Sequence, residues 1–504
     1  MTPAPDVHLF HARRTAAGFE VSGDHAASFG HRLAGRGDRA QDDGIWAGWH
    51  WDGQRLRIES CRFGLYPLFV LQRAGELCVS NRLSGIVEAC GSGLALDDDA
   101  IAVFLRIGFM LGDATPYRDI RSFPAGSVGY WDGAGLRIDT QQPCSPACDH
   151  SSDAERLDRY AALFAASMAR RGGDAATVLP LSGGRDSRHV LFELCASGRP
   201  PQQCITAELP PPRSNEDLRI ARLLCERLGL PHRVVSQAGG AIAAMRRKNE
   251  RTSLCCDEHT WAMPLVDDIN REPATLFDGI GGDVLSAGLF SSAQRIEWLR
   301  QGALEAFAAD MFDESEVSLR TALQPPAYRR FSRERAIASI AEALRPHAAQ
   351  PNPVASFFFW NRTRREIALY SFGMYRNDST VLAPYLDHAL FDFLMSLPAD
   401  DVVDKRFHSR AIAHAYPQWA DLPYTLADHD AQAAVWSAGR RRLHHTRLAA
   451  GFALHLLQHG GDCVRRSALI RRLPLLAGKP DPEHYWFDIE RIVWLTQVEA
   501  LAAA

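Results

Sequence analysis

The chain has 504 residues, 46% hydrophobic and 23% charged, which is ordinary for a globular protein and long enough for two to four domains of about 100–200 residues each. Lys and Arg total 56 against 60 Asp and Glu, so the formal net charge is −4, and that near balance argues against a nucleic-acid partner. No apolar run reaches the ~18–20 residues of a bilayer span, and the opening stretch MTPAPDVHLFHARR lacks the order of charge, apolar block and cleavage site of a signal peptide; no membrane partner and a cytoplasmic location are expected.

Residues 1–140 read as β-rich. Short alternating or apolar runs recur at 45–51, 56–60, 68–71, 77–80 and 127–131, separated by turn pairs such as Asp52-Gly53 and Asp132-Gly133. Residues 141–152 carry no periodic apolar face and read as a linker. The pattern then changes to a helix over 154–171, a strand over 177–181, a helix over 188–197, a strand over 203–207, a helix over 215–228 and a strand over 233–236. Strand alternating with helix predicts an α/β fold with a parallel sheet. From about residue 240 the chain reads as mainly helical, with one more sheet strand over 276–278. The 11 cysteines are odd in number and scattered, which speaks against a disulfide framework; Cys144, Cys148, Cys255 and Cys256 read as loop or buried thiols.

The most informative stretch is Val178-Leu179-Pro180-Leu181-Ser182-Gly183-Gly184-Arg185-Asp186-Ser187-Arg188-His189, a buried strand running through a Ser-Gly-Gly-x-Asp-Ser loop into a helix. Two glycines let the backbone approach a ligand, and the helix N-terminus offers free N–H groups to an anion. Ser182 and Ser187 add hydroxyl donors, while Asp186 would repel phosphate unless a cation such as Mg²⁺ stands between them.

At these residues the chain resembles the pyrophosphate-loop ATP pyrophosphatases, and more closely the asparagine synthetase family, which includes β-lactam synthetases and lasso-peptide cyclases. Asn215-Glu216-Asp217 opening a helix, the acidic glycine-rich loop Phe277-Asp278-Gly279-Ile280-Gly281-Gly282-Asp283 and the segment Ala383-Pro384-Tyr385-Leu386-Asp387 followed by Leu397-Pro398 agree in order and rough spacing. The resemblance covers roughly 170 to 425 and implies a C-terminal synthetase domain (153–504) of adenine-nucleotide α-hydrolase type. It implies ATP and Mg²⁺ as cofactors, with Asp186 and Asp283 as metal ligands. Leu181, Ser182, Gly183, Gly184, Ser187, Gly279, Gly281 and Gly282 would line the nucleotide. The implied chemistry is attack of a carboxylate on ATP to give an acyl-adenylate and pyrophosphate, then attack by an amine to give an amide and AMP.

The N-terminal region (1–140) is similar to the family's glutamine amidotransferase domain at Cys61-Arg62-Phe63-Gly64-Leu65-Tyr66-Pro67-Leu68, Ser80-Asn81-Arg82-Leu83 and Phe123-Pro124-Ala125-Gly126. That domain uses an N-terminal cysteine nucleophile; here position 2 is Thr2, so a degenerate domain without glutaminase activity is expected. Ile280 stands where relatives often carry a proton-handling Glu or Tyr, and isoleucine transfers no proton. The synthetases' pyrophosphate-stabilising lysine is matched by Lys405, a few residues early, with His408 or Arg410 as substitutes; Lys405 and His408 complete the catalytic candidates with Asp186 and Asp283. Arg185 and Arg188 are candidates to pair with phosphate or an acidic substrate, or to form surface ion pairs. Asp257-Glu258-His259-Thr260-Trp261 lies in the region that builds the family's substrate pocket, and 362–366 and 375–378 could face the same cleft.

The reading is an ATP- and Mg²⁺-dependent ligase joining a small-molecule or peptide carboxylate to an amine. The alternatives are a macrolactam cyclase with a precursor-peptide partner, an ammonia-dependent asparagine synthetase, and a nucleotide-binding scaffold that has lost catalysis. The basic stretch 439–447 reads as a solvated helix face and 486–501 as packed core.

Overall fold

The computed structural model describes residues 7–34, 42–91, 93–141, 146–172, 176–209, 215–237, 239–312, 315–403, 406–425, 437–478 and 483–503. Thr2, Cys144 and Lys405 lie outside them. The N-terminal part carries strands β1 (Leu9–Thr15), β2 (Gly18–Gly23), β3 (Ala26–Leu33), β4 (Asp43–Trp51), β5 (Leu56–Ser60), β6 (Phe69–Arg73) and β7 (Glu76–Ser80). Helices α1 (Leu83–Cys90) and α2 (Asp98–Ile107) follow, then β8 (Ile120–Ser122), β9 (Ser127–Trp131) and β10 (Leu136–Thr140).

These strands form two antiparallel sheets, in the orders β2-β1-β7-β6-β8 and β10-β9-β5-β4-β3. Alternation sets the faces: Leu56 and Ile58 of β5 are buried while Arg57 between them is exposed. The sheets meet through aromatic rings, Phe10 and Phe19 of the first lying 5.6 and 5.1 Å from Trp51 of the second. The two helices were not foreseen from composition. Their apolar residues are near-continuous, and what marks α2 is the Asp97 cap, which accepts from Ala100 N–H, and left-handed Gly108 at its end.

Helix α3 (Asp153–Arg170) opens the second part with a reciprocal cap, in which Ser152 Oγ accepts from Glu155 N–H and the Glu155 carboxylate accepts from Ser152 N–H. Ser152→Ala should lower the unfolding free energy by about 1 kcal/mol, read from a urea melt. The segment ahead of it is bonded where it is described: Asp149 N–H donates to Ser396 O at 2.8 Å, and its carboxylate takes Arg156 Nε at 3.2 Å.

Then come β11 (Thr177–Pro180), α4 (Asp186–Ala196), β12 (Gln203–Glu208), α5 (Glu216–Leu228), β13 (His232–Ser236), β14 (Thr275–Phe277) and β15 (Thr380–Leu382). All five strands are parallel, in the order β13-β12-β11-β14-β15. The register Val178↔Leu276 sets the carboxyl ends of β11 and β14 side by side, so the loops that follow them are neighbours. Ligands of open parallel sheets bind at that edge. Of the helices after residue 240, Met263–Ile269 packs against β12 and β13, and the last, Glu483–Ala503, buries Ile489, Ile492, Val493 and Val498. Among the described residues, no helix is long and apolar enough to cross a membrane.

The two parts share a polar seam. Arg171, 1% exposed in its side chain, donates to Asp43 of β4 at 3.0 Å and to Asp387 at 3.1 Å, and Arg170 bridges the same two carboxylates. Arg82 reaches the backbone carbonyls of Arg251 and Gly373, and Arg62 pairs with Asp392. In the other direction, Arg364 donates to Asp113 at 2.7 Å and to Phe123 O at 3.2 Å.

Candidate active site

The loop after β11 folds on itself. Ser187 Oγ accepts from Ser182 N–H at 3.2 Å and lies 3.1 Å from Ser182 Oγ, which in turn accepts from Gly184 N–H. Gly183 N–H donates to Asp217 Oδ1 of α5 at 3.0 Å, and Thr425 closes the turn from outside, its N–H on Gly183 O and its hydroxyl on the same Asp217 oxygen. A Cβ on Gly183 would stand 1.9 Å from Thr425 Oγ1, so only glycine admits this strap.

The loop after β14 closes over Asp186. A Cβ on Gly279 would meet Asp186 Cβ at 2.7 Å, and one on Gly282 would meet Asp186 Oδ1 at 2.6 Å. Asp278 accepts from Ile280 N–H at 2.9 Å and from Ser371 Oγ at 2.7 Å, which holds the loop in place. Gly282→Ala would displace the Asp186 carboxylate; ATP·Mg²⁺ affinity should fall about tenfold, roughly 1.4 kcal/mol, in a calorimetric titration.

Between the two loops lies a cavity of about 430 Å³. Leu181, Ser182, Gly184, Asp186, Ser187, Gly279, Gly281 and Asp283 line it, whereas Gly183 and Gly282 buttress it from behind. Ile280 is part of the wall and offers no proton acceptor there. The far wall is apolar and aromatic, built by Trp261, Leu265, Ile367 and Tyr370, with His259 stacked on Tyr370 at 5.0 Å. Thr363, Ile367, Tyr370 and Ser371 reach it from a π-helical stretch (Phe359–Ile367, Leu369–Gly373), whose wide turns re-aim side chains relative to an α-helix.

Electrostatically, the site is acidic: Asp186, Asp217, Asp278 and Asp283 line it against Arg185. Burial and the charge of Asp186 push the Asp283 carboxyl up to about 6, against the pull of Arg362. Asp186 Oδ1 is buried and accepts no hydrogen bond among the described residues. A buried carboxylate oxygen that takes no well-formed hydrogen bond and has only the His408 ring 3.2 Å away, beside a second carboxylate whose pKa it raises, fits a divalent cation bound through oxygen. Asp186 and Asp283 are the residues that would hold it.

Not every candidate from the sequence lines the cavity. His408 is fully buried behind Asp186, its Nε2 3.2 Å from Asp186 Oδ1 and its Nδ1 2.9 Å from Tyr160 OH and in contact with Ser286 Oγ. It therefore backs the carboxylate and is not placed to stand in for a lysine facing pyrophosphate. Arg410 pairs with Asp153 on the surface. Arg185 lines the cavity, with Nε on Ser409 Oγ at 2.6 Å. Arg188 does not reach it: its guanidinium donates to Leu422 O and Pro423 O and lies 3.9 Å from the Tyr424 ring, anchoring the strap that ends in Thr425. Of the 257–261 stretch, His259 and Trp261 face the cavity, while Asp257 pairs with Arg491 and Glu258 with Arg362. Asp217, Asp278 and Ser371 were not singled out as site residues. Asp217 had a usable signal, as an acid in the first turn of the helix beyond the neighbouring strand.

The sequence was compared with known proteins. The asparagine synthase family matches residues 159–418 and the glutamine amidotransferase domain matches residues 31–142. No curated protein matches the chain. Among solved structures, the chain is similar to the allosteric regulatory enzyme of purine biosynthesis, at 10% identity over 38% of this chain and 32% of that one, with a TM-score of 0.14. It is also similar to the glutamine phosphoribosylpyrophosphate amidotransferase from B. subtilis complexed with ADP and GMP, at 10% identity over 55% of this chain and 59% of that one, with a TM-score of 0.16. The matches thus span less than two thirds of either structure's length. With a family match running through more than half of the chain, from α3 past both site loops, the protein belongs to the asparagine synthase family of ATP-dependent amide-forming ligases.

Proposed function

We propose that the protein adenylates a carboxylate with ATP and passes the acyl group to an amine, releasing pyrophosphate and then AMP. The observation that carries this reading is the meeting of Asp186 and Asp283, from loops after adjacent strands, in the wall of one cavity. Mg²⁺ held there would neutralise charge on the leaving pyrophosphate. The chain's own contribution is positional. Ser182, Gly184 and Ser187 present donors to phosphate, Gly279 and Gly282 pin Asp186, and the Thr425 strap fixes Gly183. The carboxylate oxygen bonds to the α-phosphorus as the bond to the bridging oxygen breaks; the amine nitrogen then bonds to the acyl carbon, AMP leaves, and the nitrogen loses a proton. With Ile280 inert, His259 is the lining side chain suited to take that proton.

The substrate is one with an apolar body. Arg185 is the only lysine or arginine among the described residues of the wall, which leaves little to hold the α-carboxylate of aspartate and favours a larger acyl partner, small molecule or peptide. We further propose that the N-terminal unit (1–140) supplies no ammonia from glutamine. In support, Arg62, the arginine of its amidotransferase-type turn, is committed to Asp392 across the seam.

The test is a screen of carboxylates for ATP-dependent release of pyrophosphate. Pyrophosphate and AMP in equal amounts support the reading, and ADP with inorganic phosphate would exclude it. Glutamine as sole nitrogen source should give no product where an amine does.

A further inference from the structure

A second cluster of chemistry-bearing side chains lies outside this site, on the first antiparallel sheet. Strand pairing sets His11 of β1 opposite Cys78 of β7 and Arg13 opposite Glu76, so all four belong to one face of the sheet. Helix α1 follows β7 and delivers Cys90, its last residue, to that face. His11 Nε2 lies 2.8 Å from Glu76 Oε1, and Cys90 offers a sulfur such that the three ligand atoms all lie within 4.8 Å of one another. Arg13 shares the same Glu76 oxygen at 3.0 Å.

We propose that His11 Nε2, a Glu76 carboxylate oxygen and Cys90 Sγ form a binding site for Zn²⁺, with the fourth position left to water. The donor set is the warrant. An imidazole, a carboxylate and a thiolate suit a borderline-soft cation, whereas Mg²⁺ and Ca²⁺ take oxygen ligands. A tetrahedral Zn²⁺ holds its donors at about 2.0–2.3 Å, which places them roughly 3.3–3.8 Å apart, so the observed cluster needs only side-chain rotation to close. One carboxylate and one thiolate offset the charge of the cation, the thiol proton leaves to solvent, and Arg13, 59% exposed in its side chain, is free to swing from Glu76 into solvent as the ion enters. Cys78, opposite His11 on the same face, is fully buried beneath the cluster. His11 and Glu76 keep 17% and 9% of their side-chain surface open, which gives an ion a way in. An ion pair alone would explain His11, Arg13 and Glu76, but it leaves the arrival of a thiol at the same point without a role.

The test uses the full chain, reduced and stripped of metal, titrated with Co²⁺ alone. One equivalent should bring up visible d–d bands of a tetrahedral ion and a near-ultraviolet thiolate-to-cobalt charge-transfer band, and Zn²⁺ should erase both. Cys90→Ser should lose the charge-transfer band, and His11→Gln should weaken Co²⁺ binding at least about tenfold. Cys148→Ser, on a half-buried thiol elsewhere in the chain, should leave both unchanged. Absence of the charge-transfer band in the wild type, its survival in Cys90→Ser, or unchanged affinity in His11→Gln would each overturn the assignment. Should Cys90→Ser fail to fold by circular dichroism, the His11→Gln titration decides alone.

Discussion

Asp186→Asn should abolish pyrophosphate release while leaving the protein folded. The substitution keeps the side chain's size, so the tight approaches of Gly279 and Gly282 to it remain satisfied. What it removes is the charge that a cation needs in a cavity where Asp283 alone cannot hold both the metal and its phosphates. Loss of a metal ligand of this kind is expected to cost at least about 10³-fold in rate, roughly 4 kcal/mol of barrier. Stability should move the other way or not at all, because the Asp186 charge is part of what raises the Asp283 carboxyl. A melting temperature unchanged or raised, together with lost turnover and lost ATP·Mg²⁺ binding in calorimetry, is the expected pattern. Full pyrophosphate release in the variant would refute the two-carboxylate site.

Arg171→Met should produce the largest loss of stability, without touching the cavity. Its guanidinium is buried between Asp43 and Asp387, with Ser167 Oγ completing its bonds at 2.9 Å. Removal leaves two buried carboxylates with Arg170 as their one shared guanidinium, beside the N–H groups of Gly44, Ala389 and Leu390, and breaking a buried ion pair by deleting one partner costs about 3–5 kcal/mol. Urea denaturation measures it. The pH dependence gives a second reading. Burial pushes the Asp43 carboxyl up, but Arg171 and its other partners bring it below the usual value. Its stabilising contribution is therefore complete above the unfolded carboxylate pKa of about 3.9 and is lost as pH falls through the lower folded value. Without Arg171 the folded value rises, so acid unfolding should begin at a higher pH. An acid midpoint that does not move would mean that Arg171 does not set the Asp43 pKa.

The parts of the fold written in local pattern were legible beforehand. The strand and loop of 177–187 and the alternation that follows through β13 depend on short-range signals, an apolar run, paired glycines and a helical period. The helix after the loop starts at Asp186, two residues before the pattern indicated, because the anion-binding turn and the first helical turn are the same residues. β15 escaped notice: three residues of apolar chain inside a long helical region carry no period of their own, and only pairing with β14 makes them a strand. Asp186 and Asp283 could be picked out, since each sits in a glycine-rich loop. His408 could not be placed, because its position behind Asp186 depends on Tyr160 and Ser286, which lie more than 100 residues away along the chain. Arg188 read as a partner for phosphate, an acidic substrate or a surface carboxylate, because sequence shows its charge but not the two carbonyls that claim it.

The crossed arginines of the seam bear on how such a protein can evolve. Arg82 lends its donors to carbonyls of the synthetase part, and Arg364 lends its own to Asp113 and Phe123 O of the N-terminal part, so each half completes the other's buried polar groups. Deleting the first 140 residues would take Arg82 from the Arg251 and Gly373 carbonyls, Arg62 from Asp392, Asp113 from Arg364 and Asp43 from Arg171, each at a cost of about 1–3 kcal/mol or more. A lineage in this position can vary the N-terminal unit one residue at a time, yet discarding the unit whole would strand the buried partners it supplies. The unit is thereby entrenched in the fold through the polar groups it satisfies.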